Sequence, residues 1–173
     1  MINETLKHII RFVLLLLLQV LVFNHVHIFD YATPQVCVYL LLCFPLVTSR
    51  SLLLLWGFSM GFLIDLFSNT FGLSTIVMTF MAMIQPFLLK AFSPHDDDGD
   101  VSPSFSSLGI GSFSRYVITA VLLFEIFYFG LESFSFFNIK DVLLSMAGGT
   151  LLSSLMILAI EGIRHSGSTK RKV

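Results

Sequence analysis

The chain has 173 residues and a net charge of −1, yet 55% of it is apolar, it carries 19 phenylalanines, and its mean hydropathy is +0.88. A water-soluble domain of this length cannot bury that much apolar surface, so the composition excludes an ordinary soluble enzyme or binding module and predicts an integral membrane protein.

Charge-free runs over 12–29, 31–49, 51–64, 66–89 and 142–160, with a sixth, less clean one over 116–137, predict spans at roughly 9–29, 33–48, 51–67, 71–89, 116–134 and 142–162, set against the roughly 20 residues that cross ~30 Å of hydrocarbon. The first follows Lys7 and Arg11 and contains a leucine run over 14–18. It resembles a signal peptide, but no small-x-small cleavage site follows Phe23, and it reads as a retained span. An external turn over 24–33 carries His25, His27 and Asp30, which are weak metal-ligand candidates because interfacial His and Asp are common. The second span opens at Pro34, where a missing N–H is harmless, and contains Cys37 and Cys43, which lie on different helix faces and imply no disulfide or metal framework.

The third span holds the densest signal. Gly57, Gly61 and Asp65 are spaced four apart and share one helix face. Glycines let another helix approach closely, and an ionisable group in a membrane helix faces protein or water, so this stripe is predicted to be a packing or partner interface. Gly72 follows in the next turn. Asp65 sits where the helix macrodipole disfavours a carboxylate and therefore requires a partner, with Lys140, His25, His27 and Ser68-Asn69-Thr70 as candidates. Gly57-Phe58-Ser59-Met60-Gly61 matches the G-x-S-x-G pattern of serine hydrolases, but that motif needs a strand-to-helix elbow, and Ser59 is mid-helix. No catalytic role is expected of it.

Pro86 predicts a kink or an end to the fourth span. The segment 90–115, with His95-Asp96-Asp97-Asp98-Gly99-Asp100 and a following Ser/Pro/Gly stretch, predicts a solvated cytoplasmic loop. Its Asp-Asp-x-x-Asp spacing has no second acidic set opposite, so a magnesium-diphosphate site is not expected. In the fifth span Glu125 lies ten residues from Arg115, ~15 Å along the axis and near mid-membrane, with a Ser or Thr of another span as its expected partner. Ser145, Gly149 and Ser153 form a small-residue face on the sixth.

Six alternating spans leave Lys7, Arg11, Arg50, Lys90, Arg115, Arg164, Lys170, Arg171 and Lys172 on one side and Lys140 on the other. That asymmetry predicts cytoplasmic N- and C-termini. The expected fold is thus an all-α bundle of six transmembrane helices in one domain over 1–173, without cofactor, metal or nucleic acid, and with a basic tail suited to anionic lipid.

From residue 19 to 89 the sequence resembles the rod shape-determining protein MreD. The matching pieces are Gln19-Val20-Leu21-Val22-Phe23-Asn24 with His27-Ile28-Phe29 and Pro34, Pro45 after the second span, Gly57-x3-Gly61-x3-Asp65-Leu66-Phe67-Ser68 with Gly72-Leu73, and Gln85-Pro86-Phe87-Leu88-Leu89. The remainder matches in hydropathy, length and basic tail. This resemblance implies a non-enzymatic, multi-pass protein of the bacterial inner membrane, similar in fold to the substrate-binding subunits of energy-coupling-factor transporters. It implies work in cell elongation beside an MreC-like protein, the actin-like MreB filament and a peptidoglycan glycosyltransferase–transpeptidase pair. The alternative is a substrate-binding subunit of a vitamin or cofactor transporter, which requires an apolar pocket with convergent polar groups.

Overall fold

The computed structural model describes residues 2–23, 34–93, 103–132 and 139–169. The predicted external turn with His25, His27 and Asp30, the acidic run 95–100 and the last four residues lie outside them. The described elements are α1 (Ile2–Leu17), continued by a π-helical turn (Leu18–Phe23), α2 (Val38–Leu42), α3 (Arg50–Ser68), α4 (Leu73–Phe92), α5 (Phe105–Glu132) and α6 (Ile139–Thr169). The fold is an all-α, multi-pass membrane bundle. Among the described residues, α3, α4, α5 and the Val142–Arg164 part of α6 are long and apolar enough to cross a membrane, whereas six such helices were expected. The apolar part of α1, His8–Leu21, is shorter.

The largest departure is in the second expected span. In place of a helix over 33–48 there is a turn at Val36–Cys37, the five-residue α2, and further turns through Pro45. Residues 34–44 are buried throughout, so this segment has no face for lipid. It lies among α1, α3, α4 and α5, all of which it contacts. A continuous apolar run is equally suited to protein interior and to hydrocarbon, and the hydropathy pattern alone does not separate the two.

Consecutive helices α3, α4, α5 and α6 pack as neighbours. A four-residue connection joins α3 to α4. Asn69 ends α3 in the left-handed region at φ 55°, which asparagine tolerates, and its N–H donates to the Asp65 carbonyl. Gly72 then precedes α4 at φ 81°. Aromatic contacts tie α1 to the centre: His8 stacks on Phe44 at 4.4 Å, and Phe12 meets the edge of Trp56 at 5.3 Å. Arg50, at the start of α3, lies 5.4 Å from the Phe87 ring centroid.

Two further expectations are corrected. Of the two outcomes expected at Pro86, a kink or an end, the end does not occur: Pro86 lies inside α4, which continues to Phe92. The segment 90–115 is not wholly a loop, because α5 starts at Phe105. Ser104 caps that start by accepting from the Ser107 N–H at 3.3 Å, while its own N–H donates to Ser107 Oγ at 3.1 Å, a reciprocal capping arrangement. Buried Leu108 and Phe113 hold the first turns against the core. The helix breaks at Gly109, whose φ of 75° is one that residues with a Cβ rarely adopt.

Candidate functional site

The Gly57/Gly61/Asp65 stripe faces α4. A methyl group added at position 61 would lie 2.6 Å from both the Ser74 carbonyl oxygen and Thr75 Cα, and one at position 57 would lie 2.9 Å from Ala82 Cβ and the Met78 carbonyl oxygen. The two helices therefore touch backbone to backbone, the arrangement that small residues allow in membranes. Because α4 already fills this contact, the stripe is not a free groove for a partner's helix.

Asp65 is buried and its carboxylate accepts four hydrogen bonds. Oδ1 receives Thr70 Oγ1 at 2.6 Å and the Ser74 N–H at 2.9 Å; Oδ2 receives the Thr75 N–H at 2.8 Å and Thr75 Oγ1 at 2.6 Å. A carboxylate at the C-terminal end of α3 thus caps the N-terminus of α4. The macrodipole argument that disfavours Asp65 on its own helix favours it on the next, where unpaired N–H groups converge. Of the candidate partners, Thr70 is used, whereas His25 and His27 lie outside the described residues. Ser74 and Thr75 were missed, although their position at the start of the next helix is the signal that marks them. A group added at Gly72 would meet nothing within 4 Å, so Gly72 serves the turn by its backbone conformation and is not a packing position.

The buried segment 34–44 forms a second polar system. Away from water its irregular backbone needs hydrogen-bond partners from protein. Gln19, in the π-helical turn, donates Nε2 to the Pro34 carbonyl at 3.1 Å and accepts the Cys37 N–H on Oε1 at 3.3 Å. Ser153 of α6 accepts the Gln35 N–H at 2.8 Å. Beyond α2, Gln85 of α4 donates to the Phe44 carbonyl at 3.1 Å and to Tyr116 Oη at 3.2 Å. Tyr39 of α2 donates to Glu161 Oε2, and Arg164 Nη1 donates to the same oxygen at 3.0 Å and to Tyr39 Oη at 3.3 Å. The buried Glu161 carboxylate is thereby paired and hydrogen-bonded, the condition under which a desolvated charge is tolerated. Gln19, Gln85 and Glu161 were not recognised as a set. A polar amide inside an apolar run was the available signal.

Glu125 differs from its expectation. It is buried, but Oε1 has no hydrogen-bond partner among the described residues, so the predicted Ser or Thr contact does not satisfy that atom. Its carboxyl group lies against Gly149, where an added methyl would come 2.7 Å from Oε1. Ser145 is half-buried one turn before Gly149. We expect Glu125→Gln to accumulate in membranes at least as well as wild type, since it keeps the shape without an ionisable group, and Gly149→Ala to cost less than about 1 kcal/mol of thermal stability, since the added methyl would meet only the carboxyl end of the Glu125 side chain, which can move aside. A double variant with Glu125→Ala should recover most of that loss. A loss above about 2 kcal/mol for Gly149→Ala in mild detergent would show instead that the Glu125 carboxyl is fixed in place.

Ser59 is half-buried in the middle of α3, and no strand occurs among the described residues to form a nucleophile elbow. Among the described residues no three His, Cys, Asp or Glu side chains converge as metal donors. The site is a pair of internal clamps, one joining α3 to α4 and one seating the α2 segment between α1, α4 and α6. No family model, curated protein or solved structure matches this chain.

Proposed function

We propose that this chain is a non-enzymatic scaffold of the bacterial cell-elongation machinery, an MreD-like protein of the inner membrane with both termini in the cytoplasm. The observation that carries the reading is where the membrane-depth polar groups are used. Asp65, Gln19, Gln85, Ser153 and Glu161 are engaged with other parts of the bundle itself. What the spans offer outward is apolar helix surface, which either lipid or the spans of other membrane proteins can cover, as a scaffold in the membrane requires. The residues that carry the resemblance support the same reading, because Gln19, Pro34, Gly57, Gly61, Asp65, Gly72 and Gln85 each occupy a position on which the bundle's geometry depends. Its partners in this role are an MreC-like protein, the MreB filament and the peptidoglycan glycosyltransferase–transpeptidase pair.

One observation favours the transporter-subunit alternative. A concavity of about 450 Å³ at the α3–α4 turn is lined by Asn69, Thr70, Phe71 and Glu132 among others, combining polar and apolar groups as a small-molecule site does. Depletion of the protein in its host separates the readings. The scaffold role predicts rounded cells and dispersed wall synthesis along the cell cylinder, measured by fluorescent labelling of nascent peptidoglycan. Unchanged shape, together with saturable binding of a vitamin by the purified protein, would replace it with the transporter role.

A further inference from the structure

The concavity of about 450 Å³ at the α3–α4 turn has two kinds of wall. One is apolar: Phe71, Ile76 and Leu131 line it, and all three are exposed. The other is polar and consists of Asn69, Thr70 and Glu132. Glu132 is the last residue of the apolar stretch Phe105–Glu132, so the concavity lies at the end of the spans, where hydrocarbon gives way to lipid headgroups and water.

The hydrogen-bonding state of the polar wall limits what can bind. Thr70 Oγ1 donates its only proton to Asp65 Oδ1 at 2.6 Å, and an ionised carboxylate has none to return, so towards the concavity this hydroxyl can only accept. The N–H groups of Asn69 and Thr70 are spent as well, both on the Asp65 carbonyl. An ionised Glu132 is acceptor-only, and it forms no ion pair among the described residues, Lys140 included. A phosphate or carboxylate would therefore meet acceptors and a like charge, whereas a cation carrying N–H groups would meet complementary ones. The apolar wall argues against a bare metal ion, since magnesium or calcium takes about six oxygen ligands or more and this concavity offers one carboxylate.

We propose that this concavity binds a primary ammonium group joined to an apolar body. The ammonium donates to Glu132, to Thr70 Oγ1 and to the Asn69 side-chain oxygen, so its three N–H bonds match three acceptors. The hydrocarbon lies against Phe71, Ile76 and Leu131, which an amphiphile covers and a fully hydrated ion does not. Two sources supply this chemistry: the ethanolamine headgroup of a membrane phospholipid and a free alkylamine. Because Thr70 also holds Asp65, an occupied site tightens the joint between α3 and α4, and binding is read as thermal stabilisation. The site does not rest on the scaffold role, which depletion tests separately.

The test uses the full-length chain in phosphatidylglycerol nanodiscs, alone, with phosphatidylethanolamine, or with phosphatidylcholine, whose quaternary ammonium keeps the charge and lacks the N–H groups. Native mass spectrometry counts the retained lipid, and thermal unfolding reads the α3–α4 joint. Butylammonium and butyltrimethylammonium are titrated into the phosphatidylglycerol sample as the free-amine arm. A preference of about tenfold is expected for the primary ammonium over its quaternary analogue in one arm or the other, with Glu132→Gln lowering it by about tenfold. Retention of ethanolamine lipid identifies the lipid as the source, and a response to butylammonium alone identifies a free amine. Ile76→Trp, which fills the apolar wall and leaves the acceptors in place, should also block binding. Both substituted residues are exposed, so each variant should unfold near the wild-type temperature without ligand. No preference for the primary ammonium in either arm, binding unchanged in a normally folded Glu132→Gln, or stabilisation by magnesium alone would overturn the proposal.

Discussion

Gly61→Leu should prevent stable accumulation of the protein, and Gly61→Ala should already lower its thermal stability in mild detergent by about 3 kcal/mol, the upper end of what overpacking usually costs. The reason lies in what the new carbon would touch. A Cβ at position 61 comes 2.6 Å from the Ser74 carbonyl oxygen and from Thr75 Cα, which are main-chain atoms with no rotamer to change. Relief requires α3 and α4 to separate, and separation draws the Ser74 and Thr75 N–H groups away from Asp65, so packing and capping are lost together. Gly57→Ala should be milder, since one of its two nearest neighbours is the Ala82 methyl rather than main chain. Phe62→Leu, on the exposed face of the same helix, should fall within about 0.5 kcal/mol of wild type. Membrane abundance and thermal unfolding of the four variants measure the order, and equal behaviour of Gly61→Ala and Phe62→Leu would refute the close crossing.

Asp65→Ala should destabilise the protein by on the order of 3 kcal/mol, because it leaves two backbone N–H groups at the start of α4 without an acceptor. The hydroxyls of Thr70 and Thr75 can turn elsewhere, but the N–H groups of Ser74 and Thr75 are fixed by the helix. Asp65→Asn should be intermediate, since it keeps one acceptor oxygen but turns an NH₂ group toward one of the two fixed N–H groups. Thr75→Val removes one of the four bonds and should cost less than either. Thermal unfolding in detergent, read beside cell shape in a complemented depletion strain, distinguishes a clamp from a charge with another role. Loss of function by Asp65→Asn at normal stability and abundance would show that the carboxylate acts beyond the α3–α4 joint.

The Gly57/Gly61/Asp65 stripe was legible because helical spacing is local: residues four apart share a face whatever the rest of the chain does. Glu125 was legible as an intramembrane acid from its distance along the helix, but its neighbour was not, since Gly149 lies on another element and has no side chain to advertise the contact. The end of α3 was read as unfavourable to Asp65, and the structure resolves this through the start of α4, a relation between two helices that neither encodes alone.

By itself, the sequence determined that this is an all-α protein of several membrane spans, because a chain with this hydropathy must satisfy its backbone within helices when it leaves water. Only the tertiary structure decided that residues 34–44 form a buried segment with a single short helix in place of a second long helix. Hydropathy records that a residue avoids water; it does not record whether lipid or protein replaces the water. The deciding interactions come from Gln19, Gln85 and Ser153, polar groups on three other elements, whose hydrogen bonds make an irregular backbone tolerable at that depth and which reach it only once the bundle has closed around it.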